Sequence, residues 1–455
     1  LPDAALAPRD ITRSGLCIGC GSCAARPDRG MAWDGFGQRK PAGAELAAPS
    51  EAFARTCPFS PAAADEDAIA AVRFPGQSAD PRLGRAVANY VGHVEEADWR
   101  ASGSSGGMVS WVAAELLRRG EIDGVLHVAP ADREADGAFF RYRISRSQEA
   151  ILGGAKSRYY PVDLAAVLQE VRAVPGRYAV IGIPCFIKAV NLLRAEDPVI
   201  AERITHLLGL FCGHMKSARF VDSFAWQLGA DPGEVRAVEY RRKDPGRPAN
   251  WYTAHLTLAD GSARWQDWWH LADGDWGAGY FQNSACNFCD DVVAETADIS
   301  FGDAWVEPYS SDGRGTNVVV VRSPELHSVV EDAIARGRLA LHQVDADFIV
   351  NTQAAGFRQR REGLAYRLTW ARRGIRPRKR VAPGKAGLPW RRRLVYRFRA
   401  GISWGSHRMA AAAERLHRPQ LYVRWAKASL GLYGALTYSR GRLGKLLDRL
   451  DRSKS

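Results

Sequence analysis

The chain has 455 residues, 46% of them hydrophobic, and a net charge of +13, which is enough to bury cores in two or three domains and excludes a disordered chain. Its eight cysteines are too sparse for a disulfide scaffold and, clustered near glycine and proline, point to metal or redox chemistry in a reducing compartment. The first residues lack a basic and apolar leader and there is no uninterrupted apolar run of about 18 residues, so neither a secretion signal nor a spanning helix is expected, and a cytoplasmic protein is.

Residues 1–60 are loop-rich, as expected of a segment organised by a metal rather than by a hydrophobic core. Within it, "GLCIGCGSCAARPDRG" sets Cys17, Cys20 and Cys23 at three-residue intervals. In the ferredoxin pattern C-x2-C-x2-C-x3-C-P the last cysteine ligates the other cluster of a pair. That position is Pro27 here, and the next cysteine, Cys57, is the one followed by proline. Four thiolates from Cys17, Cys20, Cys23 and Cys57 suit a [4Fe-4S] cubane better than a zinc knuckle, which pairs one C-x2-C with another. Residues 61–100 read as a connector.

From residue 101 the pattern becomes α/β, with α+β elements. "ASGSSGG" is a Ser/Gly loop, followed by an amphipathic helix from about Met108 to Arg119, a stop at Gly120 and the strand "IDGVLHV". Ser102, Ser104, Ser105, Gly106 and Gly107 have the small size that lets backbone N–H groups approach a phosphate at a helix N-terminus; a flexible helix entry is the alternative. Lys156, Ser157 and Arg158 add a second phosphate contact or the polar edge of a ring, or simply surface charge. Buried strands are expected over 178–184 and 204–212. Cys185 and Cys212 stand at their ends, the usual place for functional residues in an open α/β sheet.

"VRAVEYRRK" and "WYTAHLTLAD" alternate with period two and predict an antiparallel pair, while "ADISFGDAW" and "TNVVVVRS" return to the central sheet. Trp265, Trp268, Trp269 and Trp276 make either a lid over a planar substrate or aromatic core. "CNFCD" supplies Cys286 and Cys289. With Cys185 and Cys212 these suit a second cubane, a zinc site that includes His214, or structural thiols.

The charge lies at the far end. Residues 371–455 hold 23 Lys or Arg against 3 Asp or Glu, interleaved with Trp, Tyr, Phe and Leu, and helices are expected to break at Pro389 and Pro419. A basic amphipathic extension over 375–455 suits an anionic membrane surface, placing the protein peripherally at the inner membrane face. An acidic protein partner such as ferredoxin, or a solvated tail, are the alternatives; no nucleic-acid motif accompanies the charge, so no nucleic acid is expected.

Taken in order, "CIGCGSC", "CP", "ASGSSGGMVSWVAAELL", "KSRYYP", "VIGIPCFIKAV", "GLFCGH", "CNFCDD" and "ADISFGDAW" resemble the coenzyme F-420 hydrogenase/dehydrogenase beta-subunit family over about residues 15 to 325. The resemblance implies an N-terminal ferredoxin-like iron-sulfur segment and an α/β flavin-binding catalytic domain over 101–374. It implies FAD beside one or two [4Fe-4S] clusters, passing electrons between a one-electron donor and a two-electron acceptor. Cys17, Cys20, Cys23 and Cys57 match the first-cluster ligands. Ser102 to Gly107 and Lys156 to Arg158 look like the flavin-contacting parts, although "SGSSGG" is longer than the family's shorter loop. Cys185, Cys212, Cys286 and Cys289 match second-cluster positions of reductase-like relatives, similar to ferredoxin-dependent reductases of chlorophyll intermediates.

The expectation is therefore an iron-sulfur flavoprotein reductase, fed by ferredoxin or another one-electron donor and acting on an organic substrate. One alternative is a beta subunit of a hydrogenase or dehydrogenase that reduces or oxidises coenzyme F-420. Another is a non-catalytic electron-transfer adaptor of a membrane-associated complex. In such a flavoprotein the protein orients the flavin and supplies a proton donor; His214 and Asp303 are the candidates, against packing for the first and turn-capping for the second.

Overall fold

Four consecutive valines, Val318 to Val321, send alternate side chains into cores on opposite faces of one sheet, Val319 and Val321 to one side and Val318 and Val320 to the other. Strands of this kind need both faces covered, and helices do so here. The structure, a computed structural model, describes residues 5–26 and 28–452; Leu1–Ala4, Pro27 and Ser453–Ser455 lie outside them.

In chain order, β1 (Gly30–Trp33) and β2 (Arg39–Ala42) form a hairpin in the N-terminal segment, and β3 (Ala79–Asp80) pairs with β4 (Gly84–Arg85). There follow β5 (Ala88–Val94), β6 (Gly124–Pro130), β7 (Phe140–Ser145), β8 (Tyr178–Gly182) and β9 (Ile204–Leu210). A separate antiparallel sheet comprises β10 (Val235–Glu239), β11 (Thr253–Leu258) and β12 (Ala263–Asp267). The last strands are β13 (Ile299–Asp303), β14 (Asn317–Val321) and β15 (Leu339–Gln343).

The central sheet has eight strands in the order β15-β5-β14-β13-β9-β8-β6-β7. Neighbours β13, β9, β8 and β6 are parallel, and β14 runs antiparallel to both β13 and β5. Strands β5, β13, β9, β8 and β6 therefore share one direction, and their carboxyl ends open on one edge, where an open α/β sheet places its ligands. Helices Met108–Arg118 and Pro324–Ala335 cover one face. Helix Pro184–Glu196 and the N-terminal segment cover the other, with Ile11, Leu16, Phe53 and Phe59 in the same core as Phe186 and Val190. The α/β class expected from the sequence is the one found.

Two stretches differ from their sequence reading. The supposed connector contributes β5, an inner strand between β15 and β14; in "ANYVGHV", Tyr90, Val91 and Val94 do the packing while Asn89, Gly92 and His93 interrupt the apolar run. The basic stretch forms helices Trp390–Arg415, which begins just after Pro389, and Pro419–Tyr438, so the breaks fall at the two prolines expected, and the helices build a core with helix Arg219–Gln227 and the β10–β12 sheet. Tyr422 is fully buried and donates to Asp273 Oδ2 at 2.8 Å, and Tyr280 donates to the Ala426 carbonyl at 2.9 Å.

A few of the tail's charges are likewise internal, while most of its Lys and Arg face outward. Lys379 and Arg380 enter a buried acidic group, Lys379 Nζ lying 3.2 Å from Asp290 and Arg380 2.6 Å from Glu295, because buried charges persist only when paired. The tryptophans divide: Trp268 is core, Trp276 is half-buried, and Trp265 and Trp269 are exposed. Among the described residues no helix is long and apolar enough to cross a membrane.

Candidate functional site

The first thiol group hangs on a tight loop. Gly19 and Gly21 both have φ near +80°, and a Cβ on either would lie 2.4 Å from the Arg39 carbonyl oxygen or 2.9 Å from the Ala165 nitrogen, so only glycine fits. Lys40 Nζ donates to the Cys17 carbonyl at 2.6 Å and the Leu164 amide to that of Cys20 at 2.9 Å. Cys57 ends the helix Glu51–Thr56. Cys17, Cys20, Cys23 and Cys57 line one pocket walled by Ile11, Leu16, Ile18, Met31 and Phe53. Burial pushes the Cys20 thiol up to about 11 against the pull of the Ser22 hydroxyl, and burial with the neighbouring thiols raises Cys23 and Cys57. A bound cation reverses that preference and draws the thiolates.

The second group assembles at the carboxyl edge of the sheet. Cys185 lies in the first turn of helix Pro184–Glu196, after β8; Cys212 follows β9; Cys286 and Cys289 sit on the turn before β13. The Met215 amide donates to Cys286 Sγ at 3.4 Å, and the Cys289 thiol to the Asp291 carbonyl at 3.3 Å. Burial, then the other thiols of the group, raises Cys185. Burial also raises Cys212, against the opposing pull of Arg360, and takes Cys286 to about 11.

The two groups adjoin. Cys20 acts electrostatically on Cys185, and both act on the buried phenol of Tyr142, which burial already raises. Cys17, Cys20, Cys23, Cys57, Cys185 and Cys286 all border a single apolar core. Among the described residues, the only group of three or more ligand-type side chains with donor atoms all within 4.8 Å of one another is Glu121, His206 and Glu325, at the opposite edge of the sheet. Both cysteine quartets are thus more open than one tetrahedral zinc would draw them, since thiolates at about 2.3 Å from the ion lie about 3.8 Å apart. Four soft thiols around a wider space fit an iron-sulfur cubane.

The Ser/Gly loop follows β5 and reaches the same edge of the sheet. Gly107 has φ +86° and a Cβ there would meet the Trp99 carbonyl at 2.6 Å. Ser105 Oγ donates to the Thr316 carbonyl at 2.8 Å, and Ser104 Oγ accepts from the Ser157 amide at 2.7 Å. The last bond joins the two segments singled out in the sequence, Ser102–Gly107 and Lys156–Arg158. Beside them opens a cleft of about 370 Å³, lined by His93, Arg100, Lys156, Lys243 and Arg314 among others. Those cations and that volume, at the lower end for a ligand site, suit a phosphate-bearing group. Arg158 turns away from it, its guanidinium 4.8 Å over the Phe140 ring.

His214 is buried, stacks on Trp276 at 4.2 Å, and its Nε2 has no hydrogen-bond partner among the described residues; burial, then Lys216, holds it well below the usual histidine range. Asp303 closes β13 and accepts two hydrogen bonds from Arg241, both 3.0 Å. Tyr159 connects the two, packing on Trp276 at 4.7 Å and lying within electrostatic reach of Arg241 and Asp303. The cleft residues Arg100, Lys243 and Arg314, and Arg360 beside Cys212, escaped the sequence reading because they are spread along the chain with no local pattern.

Two family models match. That of the coenzyme F-420 hydrogenase/dehydrogenase beta subunit, N-terminal part, covers residues 89–169, and that of the same subunit's C terminus covers residues 176–347, together more than half of the chain. The first thiol quartet and residues beyond 347 lie outside both. Thirteen chains of solved structure match. One, from the xenon-derivatised F-420-reducing [NiFe] hydrogenase complex of Methanosarcina barkeri, has a TM-score of 0.50 at 18% identity, covering 66% of this chain and 99% of that one. At that identity the likeness is one of fold. No curated protein matches the chain.

Proposed function

The chain belongs to the coenzyme F-420 hydrogenase/dehydrogenase beta-subunit family, and from that premise we propose that it is an iron-sulfur flavoprotein exchanging electrons between a one-electron protein partner and coenzyme F-420. Cys17, Cys20, Cys23 and Cys57 hold one [4Fe-4S] cluster, and Cys185, Cys212, Cys286 and Cys289 hold a second. The cleft between the Ser/Gly loop and Lys156 takes FAD. The observation that carries this reading is the placement of two adjoining thiol quartets and a cation-lined cleft, the second quartet and the cleft at one edge of the sheet. When bound, the clusters supply single-electron steps and the flavin couples them to a hydride.

The chain's own residues prepare that exchange. The fixed loop of Gly19 and Gly21 presents its thiols with little reorganisation, and the apolar wall of the first pocket limits water there. Lys156 pairs with Glu239 at 3.1 Å and Arg100 and Arg314 share Asp312, each at 2.9 Å, which leaves a net positive charge for phosphates, while Lys243 donates to the carbonyls of Arg100, Ser105 and Arg314 at 2.6, 2.9 and 2.7 Å and so sets the shape of the loop. The one-electron partner is ferredoxin or a partner subunit.

Anaerobic purification with iron, sulfide and flavin analysis, followed by mixing with reduced ferredoxin and oxidised F-420, tests the reading. About eight iron and one FAD per chain, with F-420 bleaching that depends on the protein, support it. Bound flavin and clusters without F-420 turnover favour an organic-substrate reductase instead, and colourless protein rules out both.

Helix Gly441–Arg452 suggests where the chain works. Asp448 and Asp451 turn inward to Arg391, while Leu443, Leu446 and Leu450 are exposed beside Arg442, Lys445 and Arg449. A leucine face flanked by cations suits the surface of an anionic membrane.

A further inference from the structure

Residues 360–399 follow the part of the chain matched by the family models, and they press an unusual number of cations onto the second thiol quartet. Arg360 is 4% exposed and its Nη2 donates to the carbonyls of Cys212 at 2.5 Å and Gly213 at 2.9 Å. Arg367, also 4% exposed, donates from Nε at 2.7 Å to the carbonyl of Asn287, which stands between Cys286 and Cys289. Buried Arg399 donates to the Gly277 carbonyl and to Gln282 Oε1, both at 2.7 Å, in the approach to the same turn. Among the nearest acids only Asp291 opposes these cations at Cys212. Asp290 is shared by Lys379 and Arg380, and Asp291 accepts from the amides of Val293 and Glu295 at 2.9 and 3.0 Å.

The first quartet is built differently. Its pocket wall is apolar. Of the cations near its loop, Lys40 and Arg29 are only partly buried, while Arg39, Arg172 on the Ala25 carbonyl and Lys379 over the Phe59 ring are neutralised by Asp163, Asp197 and Asp290.

Reduction adds a negative charge to a cluster. Fixed cations in a water-poor site stabilise the reduced form and raise the potential, whereas an apolar wall without them lowers it. Resting on the two-cluster reading above, we infer that Arg360, with Arg367 and Arg399, makes the centre held by Cys185, Cys212, Cys286 and Cys289 the higher-potential one of the pair. Electrons received at the N-terminal centre then run downhill toward the carboxyl edge of the sheet. Arg360 is a positioning residue here: it acts on the centre through the backbone of Cys212 and through its charge, without entering the reaction.

The test is a potentiometric titration of the anaerobically reconstituted full chain, followed by electron paramagnetic resonance. Signals are assigned with C20S and C286S, each of which removes one centre. The centre absent from C286S is expected to be reduced first. R360M is expected to move that midpoint to lower potential and leave the other unchanged, with R360K close to wild type. Should R360M lose the second centre's iron, R399Q serves in its place and is expected to shift the same midpoint in the same direction. Reduction of the N-terminal centre first, or charge-removing variants that leave both midpoints in place, would overturn the inference. Wild-type protein that takes up no more than one cluster's iron would instead sink the two-cluster reading on which it rests.

Discussion

Arg241 holds Asp303 through two parallel hydrogen bonds of 3.0 Å, with its guanidinium 4.5 Å from the Tyr252 ring and 5.1 Å from that of Trp305. The arginine side chain is 5% exposed. Removing one partner strands a buried charge, which costs about 3 to 5 kcal/mol. D303N is therefore expected to lower stability by about 3 kcal/mol in a urea titration, and R241M to do so similarly. An unchanged denaturation midpoint in D303N would mean that the pair is not structural and would return the carboxyl to the list of free proton donors.

Each thiol quartet is expected to load independently. C20S and C286S each lose about four iron per chain and keep the rest, measured by metal analysis after anaerobic reconstitution. Loss of all iron in either variant would indicate a single shared centre.

Acid weakens the fold through His127. This side chain is 4% exposed, hydrogen-bonded to Ser145 Oγ at 2.7 Å, and so close under Gly154 that a Cβ there would lie 2.3 Å from the ring. Burial pushes it down to about 4 from 6.5. The unfolded chain binds more protons between those values, so the neutral ring's contribution is intact above about pH 6.5 and is lost as pH falls toward 4, by about 3 kcal/mol in full. His407, also brought to about 4 by burial, acts in the same window. H127L is expected to flatten part of the fall in melting temperature between pH 6.5 and 4; a slope equal to that of wild type would refute the assignment.

The leucine face of helix Gly441–Arg452 gives a membrane prediction. L446E, at a residue 52% exposed, is expected to reduce flotation with phosphatidylserine-containing vesicles severalfold without changing the melting temperature. Equal flotation of wild type and variant, or none by wild type, would remove the membrane from the proposal.

The sequence carries its chemistry locally and its packing remotely. Cysteine spacing singles out Cys17, Cys20 and Cys23 because these three thiols sit on one loop, with Cys57 brought to the same pocket from the end of helix Glu51–Thr56, and strand-end positions single out Cys185 and Cys212 because an open α/β sheet has one functional edge. Gly107 before helix Met108–Arg118 and the period-two pairing of β10 with β11 are equally local signals. Arg360 over Cys212 and Lys379 on Asp290 leave no such trace, since each joins residues far apart in sequence. The aromatic and basic character of residues 390–438 looks the same whether it meets lipid or the chain's own core. Only the partners Tyr280, Phe281 and Asp273 show that Tyr422 is interior.

The bond between Lys379 and Asp290 also sets a timetable. Every cysteine precedes residue 290, while the cations that close over the second quartet are translated later. A nascent chain thus exposes all eight thiols before Arg360, Lys379 and Arg399 have been made, and long-range contacts of this kind form last. A cluster held as proposed by Cys185, Cys212, Cys286 and Cys289 would therefore be easiest to insert during synthesis, and its replacement in the finished protein would first require Arg360 to leave the Cys212 carbonyl.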